Sequence, residues 1–310
     1  MKRQPIVCVV GPTAIGKTDL SLDLAQALHG EIVSADSMQV YRHMDIGTGK
    51  IPVVDRRSIT HHMIDVVDPW VPFTVHEFAQ MARSVLSDLD ARQRIPIVVG
   101  GTGLYVKALI DHFDFAQTDR DPSLRDALTQ EAERVGAPVL HERLRAKDPL
   151  SATRIHPNDL RRVIRALEIV ERTGRPVEAN RSQERPPYAP ILIGLTGERE
   201  RLYQRIERRI DHMVEEGLVA EVERLLALGC DETHTAMQAI GYKEILQYVR
   251  GTCSLEAAVA AVKQASRRYA KRQWSWFRAD SRIVWYEWAE DGMMLDVVLP
   301  FIEEQLERLG

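Results

Sequence analysis

Gly11-Pro12-Thr13-Ala14-Ile15-Gly16-Lys17-Thr18 stands directly behind the apolar run Ile6 to Val10, and that placement makes it a phosphate-binding loop rather than a turn that merely joins a strand to a helix. Glycines let successive backbone N–H groups point inward, Lys17 adds a charge that bridges phosphate oxygens, and Thr18 offers a hydroxyl to Mg²⁺. A helix opening near Lys17 turns its positive end on the same anion. The loop leaves open whether those phosphates belong to a nucleotide or to another ligand.

Working outward, short β-branched runs alternate with helical patterns. Ile6 to Val10, Ile32 to Ala35, Met63 to Val67, Ile95 to Val99, Ile191 to Leu195 and Ile283 to Tyr286 read as strands buried on both faces, hence parallel. Val75, Phe78, Ala82, Val85 and Leu89 fall at helical spacing between two of them. The pattern predicts an α/β fold, a P-loop NTPase-like doubly wound, mostly parallel sheet whose carboxyl-end loops converge on one crevice. Between about Phe115 and Pro190 the alternation stops, and Ser123 to Val135, Pro138 to Ala146 and Asn158 to Arg172 are helical. The expected organisation is a core of residues 1–114 and 190–310 with basic C-terminal helices, and a helical insertion domain over 115–189.

With 310 residues the chain exceeds what one core usually holds, in keeping with an appended unit. Its net charge of −4 excludes a generally basic nucleic-acid binder but not a local basic strip. The insertion supplies one, with Arg154, Arg161, Arg162, Arg165, Arg172, Arg175, Arg181 and Arg185, although pairing with Glu168 and Glu171 would account for the same residues. Cys8, Cys230 and Cys253 have no metal-ligand spacing, and the apolar run after Met1-Lys2-Arg3 is too short for a signal peptide. A cytoplasmic protein without membrane attachment is expected.

Asp36 ends the second predicted strand, on the side of the sheet that faces the phosphate loop. It is a candidate general base, with the capping of a following turn as the plain alternative. Val98-Val99-Gly100-Gly101-Thr102-Gly103 is a second strand entering a glycine turn. Phosphoryl-transfer enzymes of the phosphate-loop class usually carry an Mg²⁺-ordering Asp where glycine stands here, which counts against that chemistry. Thr102 would place its hydroxyl at the crevice, or cap the next helix. Arg205 and Arg209, four residues apart, share a helix face suited to clamping phosphate oxygens. Gln264 to Arg278 interleaves Arg267, Arg268, Lys271 and Arg272 with Tyr269, Trp274, Trp276 and Phe277, without one acidic residue. Charge for backbone phosphates and rings for bases suit single-stranded nucleic acid, while an amphipathic helix with core tryptophans would look similar.

The phosphate loop, Ser34-Ala35-Asp36-Ser37-Met38-Gln39-Val40-Tyr41, Asp45-Ile46-Gly47-Thr48-Gly49-Lys50, Gly100-Gly101-Thr102-Gly103-Leu104-Tyr105 and Arg268-x-Ala-Lys-Arg-Gln-x-x-Trp-Phe-Arg278 together closely resemble the bacterial tRNA dimethylallyltransferases, in the family's order and over almost the whole chain. The resemblance implies transfer of a dimethylallyl group from dimethylallyl diphosphate to N6 of adenine 37 in tRNA, with Mg²⁺ as cofactor. It implies that Gly11, Pro12, Thr13, Ala14, Ile15, Gly16, Lys17, Thr18 and Arg209 hold the diphosphate, and that Thr18 is the metal ligand. Asp36, Thr102 and Arg209 would be catalytic. Contacts to tRNA are implied for Asp36, Ser37, Met38, Gln39, Thr102, Leu160, Arg161, Arg162, Val163, Ile164, Arg267, Arg268, Lys271 and Arg272, with the insertion covering the anticodon stem-loop of a monomer's substrate. Two departures are visible: glycine at position 49 stands where the family carries alanine, and the C-terminal zinc finger of eukaryotic forms has no counterpart among three scattered cysteines. His61 and His62, preceding the third predicted strand, are given a structural role, since neighbours on a strand point to opposite faces.

Three other readings share some of these residues. A prenyltransferase acting on free adenine nucleotide lacks use for the basic aromatic helix. A small-molecule kinase shares the phosphate loop and the Asp after the second strand. An RNA-binding nucleotide switch would carry an Asn-Lys-x-Asp guanine-reading motif, which the chain does not have.

Overall fold

A computed structural model gives the fold and describes residues 3–111, 122–180, 188–288 and 294–309. The chain divides into two compact units, Met1–Ile110 with Pro187–Gly310, and Asp111–Pro186. The first is built on six parallel strands, β1 (Gln4–Val10), β2 (Gly30–Ser34), β3 (His61–His62), β4 (Ile95–Gly100), β5 (Tyr188–Thr196) and β6 (Val284–Glu287), in the spatial order β3-β2-β4-β1-β5-β6. Alternation along β1 sends Ile6, Cys8 and Val10 into one core and Val7 and Val9 into the other, so helices cover both faces. Because the chain leaves central β1 toward β2 and later crosses to β5 on the other side, the crevice opens at the carboxyl ends of β1 and β4. There Val10 pairs with Gly100, and the phosphate loop and the glycine turn emerge side by side. A Cβ at Gly100 would come within 2.2 Å of the Ala35 carbonyl oxygen, so glycine is what lets β2 and β4 close up behind the site.

The expected strand at Met63–Val67 is not formed. Met63 and Asp65 adopt positive φ (63° and 57°), which breaks extended pairing, and only Val67 makes a bridge, to Tyr41. The strand at this edge is instead the His61–His62 pair itself. His62 Nε2 meets Glu31 Oε2 at 2.7 Å, and Arg92 also binds Glu31, holding that carboxyl below its usual range.

Helix α1 (Lys17–Ala27) follows the phosphate loop, α2 (Val75–Ala91) joins β3 to β4, and α3 (Gly103–Ile110) leaves the glycine turn. Thr74 and Glu77 cap α2 reciprocally, each accepting the other's backbone N–H, an arrangement worth about 1 kcal/mol. The face of α2 that enters the core carries Phe78, Ala82, Leu86 and Leu89.

The second unit is helical: α4 (Pro122–Val135), α5 (Ala137–Lys147), α6 (Pro149–Arg154) and α7 (Leu160–Thr173). The short α6, absent from the sequence reading, starts on an Asp148-Pro149 pair in which Asp148 accepts the Ser151 N–H at 3.1 Å. Much of this unit's basic character is paired internally: Glu168, with no exposure, takes Arg125 and Arg165, and Glu171 takes Arg143 and Lys147. Arg154 pairs with Glu178 and Arg162 with Asp159, whereas Arg161, Arg172 and Arg175 are exposed and make no ion pair among the described residues. Arg181, Arg185 and the Pro186-Pro187 pair lie outside the described residues.

The chain returns to the first unit with α8 (Arg199–Glu215), α9 (Leu218–Ala227), α10 (Tyr242–Val249), the long α11 (Leu255–Arg278) and α12 (Met294–Leu309). No helix among the described residues is long and apolar enough to cross a membrane.

Candidate active site

The phosphate loop spans the gap between β1 and α1, and Gly16, at the N-cap, contributes no side-chain cap. The first amides of α1 are therefore left for an anion. Gly11 and Ile15 act through backbone only, since Ile15 is buried in the core. The Thr13 N–H is already committed, donating to Gln273 Oε1 at 2.8 Å. Lys17 folds back over the loop, its Nζ donating to the carbonyls of Gly11 (3.0 Å) and Pro12 (2.7 Å). Burial, then the nearby Arg209 guanidinium, push its pKa down to about 7, against an opposing pull from Asp36. Arg209 is itself lowered by burial and by Arg205, with Asp36 again opposing, and its guanidinium donates to the Gly49 carbonyl at 3.3 Å. Arg205 donates to the Ala14 carbonyl at 2.8 Å while its guanidinium lies 3.9 Å from the Trp288 ring centroid. Three cations converging on capless helix amides make an anion site. Lys17, Thr18, Arg209 and Asp36 line one cavity of about 550 Å³.

Opposite stands the carboxylate. Asp36 Oδ1 accepts the N–H groups of Met38 (2.8 Å) and Gln39 (3.4 Å), so it does cap the turn, while Oδ2 takes no hydrogen bond among the described residues. One oxygen fixes the group, and the other is chemically able to accept a proton. Thr102 is not spent on its own helix: Oγ1 accepts the Ser37 N–H at 3.0 Å and donates to Ser37 Oγ at 3.3 Å. The Tyr269 phenol lies beside Thr102 and Gln273, with burial and then Asp36 pushing its pKa up to about 12. A neighbouring cavity of about 340 Å³ is bounded by Asp36, Met38, Arg209 and Tyr269 together with apolar Ile206 and Ile240.

Gln39 spends its side chain on structure, accepting from Ser34 Oγ at 2.9 Å and donating to the carbonyls of Thr48 and Gly49. The Asp45–Gly49 loop it holds is staked from beneath by Glu221, fully buried, which accepts N–H groups from Asp45, Ile46 and Gly47 and the phenolic hydrogen of Tyr242. That loop in turn supplies the carbonyl to which Arg209 donates.

Along α11 the two readings divide by face. Ala270, Gln273 and Phe277 are buried, whereas Arg268, Lys271 and Arg272 are exposed and Arg267 pairs with Glu207. Arg272 lies over the Tyr269 ring at 5.6 Å and Trp276 is 41% exposed. In α7, Arg161 and Arg162 are exposed and Leu160 is half-buried, but Val163 (0%) and Ile164 (6%) lie in the core of their unit. Their side chains pack α7, an amphipathic helix, against its own unit.

From the sequence, Tyr269 is read only as one of the rings for bases, and Gln273, Glu221 and Tyr242 are given no role. Gln273 and Tyr269 stood in a stretch already singled out for its charge, where a buried amide at helical spacing from the tyrosine was the available signal. For Glu221 no local signal existed.

Residues 39–280 match the family model described as IPP transferase, and residues 4–63 match that described as isopentenyl transferase. The chain is 46% identical over 293 residues to the tRNA dimethylallyltransferase of Carboxydothermus hydrogenoformans, covering 94% of each, and 49% identical over 286 residues to that of Geobacillus thermodenitrificans, covering 92% and 90%. Among solved structures it is similar to the tRNA isopentenylpyrophosphate transferase of Bacillus halodurans (TM-score 0.76, 43% identity, 99% and 98% covered). It is also similar to a eukaryotic dimethylallyltransferase acting on tRNA (TM-score 0.83, 29% identity, 97% and 80% covered).

Proposed function

The chain belongs to the IPP transferase family, and we propose that it transfers the dimethylallyl group of dimethylallyl diphosphate to N6 of adenine 37 in tRNA, releasing diphosphate. The observation that carries this reading is the single cavity shared by Lys17, Arg209 and Asp36, an anion cradle facing a carboxylate with one oxygen to spare. A kinase would need the same cradle but gains nothing from glycine at position 100, where an acid would order the metal.

In the reaction the bond between the allylic carbon and the diphosphate oxygen breaks, and the electron pair stays with diphosphate. The amides at the start of α1, Lys17 and Arg209 meet the charge that develops there. The N6 lone pair, delocalised into the purine, attacks the allylic carbon. Asp36 Oδ2 orients the amine and takes the proton it loses as the C–N bond forms. Thr102 and Ser37, bonded to one another, shape the acceptor side. An adenine stacked in the anticodon loop cannot reach this depth, so the base is extruded. The exposed Arg268, Lys271 and Arg272 contact RNA phosphates, and the exposed Arg161, Arg172 and Arg175 of the helical unit serve the same substrate.

Mg²⁺ fits the donor set in one respect. The Thr18 hydroxyl lines the cavity and has no hydrogen-bond partner among the described residues, while no cluster of three acidic, His or Cys ligands exists among them. The ion would therefore be held by Thr18 and, chiefly, by diphosphate oxygens and water. When bound it would offset charge on the departing diphosphate.

The test is a competition of substrates. Labelled dimethylallyl diphosphate with Mg²⁺ should label an anticodon stem-loop and leave AMP unlabelled, and labelled ATP should transfer no phosphate to either. Preferential labelling of AMP, or stoichiometric phosphorylation, overturns the reading.

A further inference from the structure

Gln273, on the inner face of α11 and only 4% exposed, holds two loops with one amide. Its Oε1 accepts the Thr13 N–H at 2.8 Å, and its Nε2 donates to the Gly101 carbonyl at 3.0 Å. Thr13 belongs to the loop that cradles the anion. Gly101 belongs to the turn that carries Thr102, which is bonded to Ser37 beside Asp36. Tyr269, one helical turn earlier on α11, stands beside both Gln273 and Thr102. From donor side to acceptor side the path thus runs Thr13, Gln273, Gly101-Thr102, Ser37, Asp36.

The chemistry of the group matters as much as its place. A primary amide offers one acceptor and one donor to the two loops; a carboxylate has no N–H for Gly101, and a hydrocarbon would leave a buried N–H and a buried carbonyl unpaired. The opposing backbone is shaped to receive it, since a Cβ at Gly101 would stand 2.0 Å from Gln273 Nε2. The Thr13 N–H given to Gln273 also means that this part of the phosphate loop is set by the protein and not by the anion.

We propose that Gln273 is a positioning residue for prenyl transfer, fixing the spacing between the loop that grips the leaving diphosphate and the turn that aligns the acceptor amine. The inference rests on the function proposed above. It predicts a defect in alignment and not in affinity, because the cations that hold each substrate keep their places. A displacement of about 1 Å between reacting groups costs roughly 100-fold in rate.

The experiment measures single-turnover transfer in the preformed complex of full chain, dimethylallyl diphosphate and anticodon stem-loop, with Kd for each substrate determined separately. Gln273→Leu should slow transfer about 100-fold with both Kd values within about threefold of wild type. Gln273→Glu gives a signature that a merely structural role would not: once protonated, the new carboxyl both accepts and donates as the amide does. Its rate relative to wild type should rise at least about tenfold from pH 8.5 to pH 6, because burial brings a carboxyl's titration into that window. A Gln273→Leu rate within about threefold of wild type, or a Gln273→Glu ratio flat across that range, overturns the inference while leaving the function standing. A wild-type chain that transfers nothing to the stem-loop refutes the function, and this inference with it.

Discussion

Arg209 stands near enough to Lys17 to depress its ammonium's pKa, second only to burial, and the two cations share a cavity with Asp36, whose carboxylate pulls the other way. An anion between them relieves that repulsion. Lys17, at about 7 in the ligand-free protein, should therefore take up a proton when diphosphate binds above pH 7. Affinity should weaken by up to roughly tenfold per pH unit above that point. Calorimetry of inorganic diphosphate binding at pH 8.5, in two buffers of different ionisation enthalpy, should show close to one proton taken up, and none in Lys17→Met.

The same shift has a consequence for stability. The folded value lies below the unfolded value of 10.5, so the unfolded chain binds more protons and the ligand-free protein gains stability as pH rises from about 7 toward 10.5. Below pH 7 the penalty is present in full. Lys17→Met should consequently raise the Tm of ligand-free protein at pH 6.5 by about 2 °C or more while weakening diphosphate binding. A lowered Tm would contradict the burial of a charged amine at this loop.

Asp36 combines a structural bond through Oδ1 with a chemical task for Oδ2. Asp36→Asn keeps the bond to the Met38 N–H and removes the base, so turnover should fall about 100-fold to 10,000-fold with stem-loop affinity within about threefold. Turnover near wild type removes Asp36 from proton transfer.

Glu221 anchors three backbone N–H groups and the Tyr242 phenol in a site with no exposure. Glu221→Ala should cost about 3 kcal/mol, since buried donors lose a charged acceptor, and Tyr242→Phe about 1 kcal/mol. Denaturant unfolding checks both values. Equal effects from the two variants would mean that the loop is not held by the carboxylate.

Arg268 and Arg272 project from the exposed face of α11. Replacing both with Ala should weaken stem-loop binding and reduce the slope of log K against log salt by about 1.4, two phosphate contacts at roughly 0.7 each. An unaltered slope would confine α11 to a packing role.

The parts of the site legible in the sequence were those written within a few consecutive residues. The strand, glycine turn and Lys17-Thr18 pair declare an anion site locally, and Asp36 is placed by the end of β2. Val163 and Ile164, expected at the RNA with their neighbours, also form with Leu167 and Val170 the inward stripe of α7, a periodicity legible in the sequence. The strand expected at Met63–Val67 failed for a reason composition does not carry, two left-handed residues in a β-branched run. Gln273 and Glu221 were illegible in another sense, since the one meets Thr13 across 260 residues and the other meets Asp45 across 176. Such contacts exist only after the sheet has gathered its loops.

The most direct measurement is mass spectrometry of a nuclease digest of the anticodon stem-loop after incubation with full chain, Mg²⁺ and dimethylallyl diphosphate. The expected result is one five-carbon prenyl group on the N6 amine of adenine 37 with wild type and none with Asp36→Asn. A digest unchanged in mass, or a prenyl group on another base or on ribose, would contradict the placement of diphosphate cradle and carboxylate on either side of an extruded adenine.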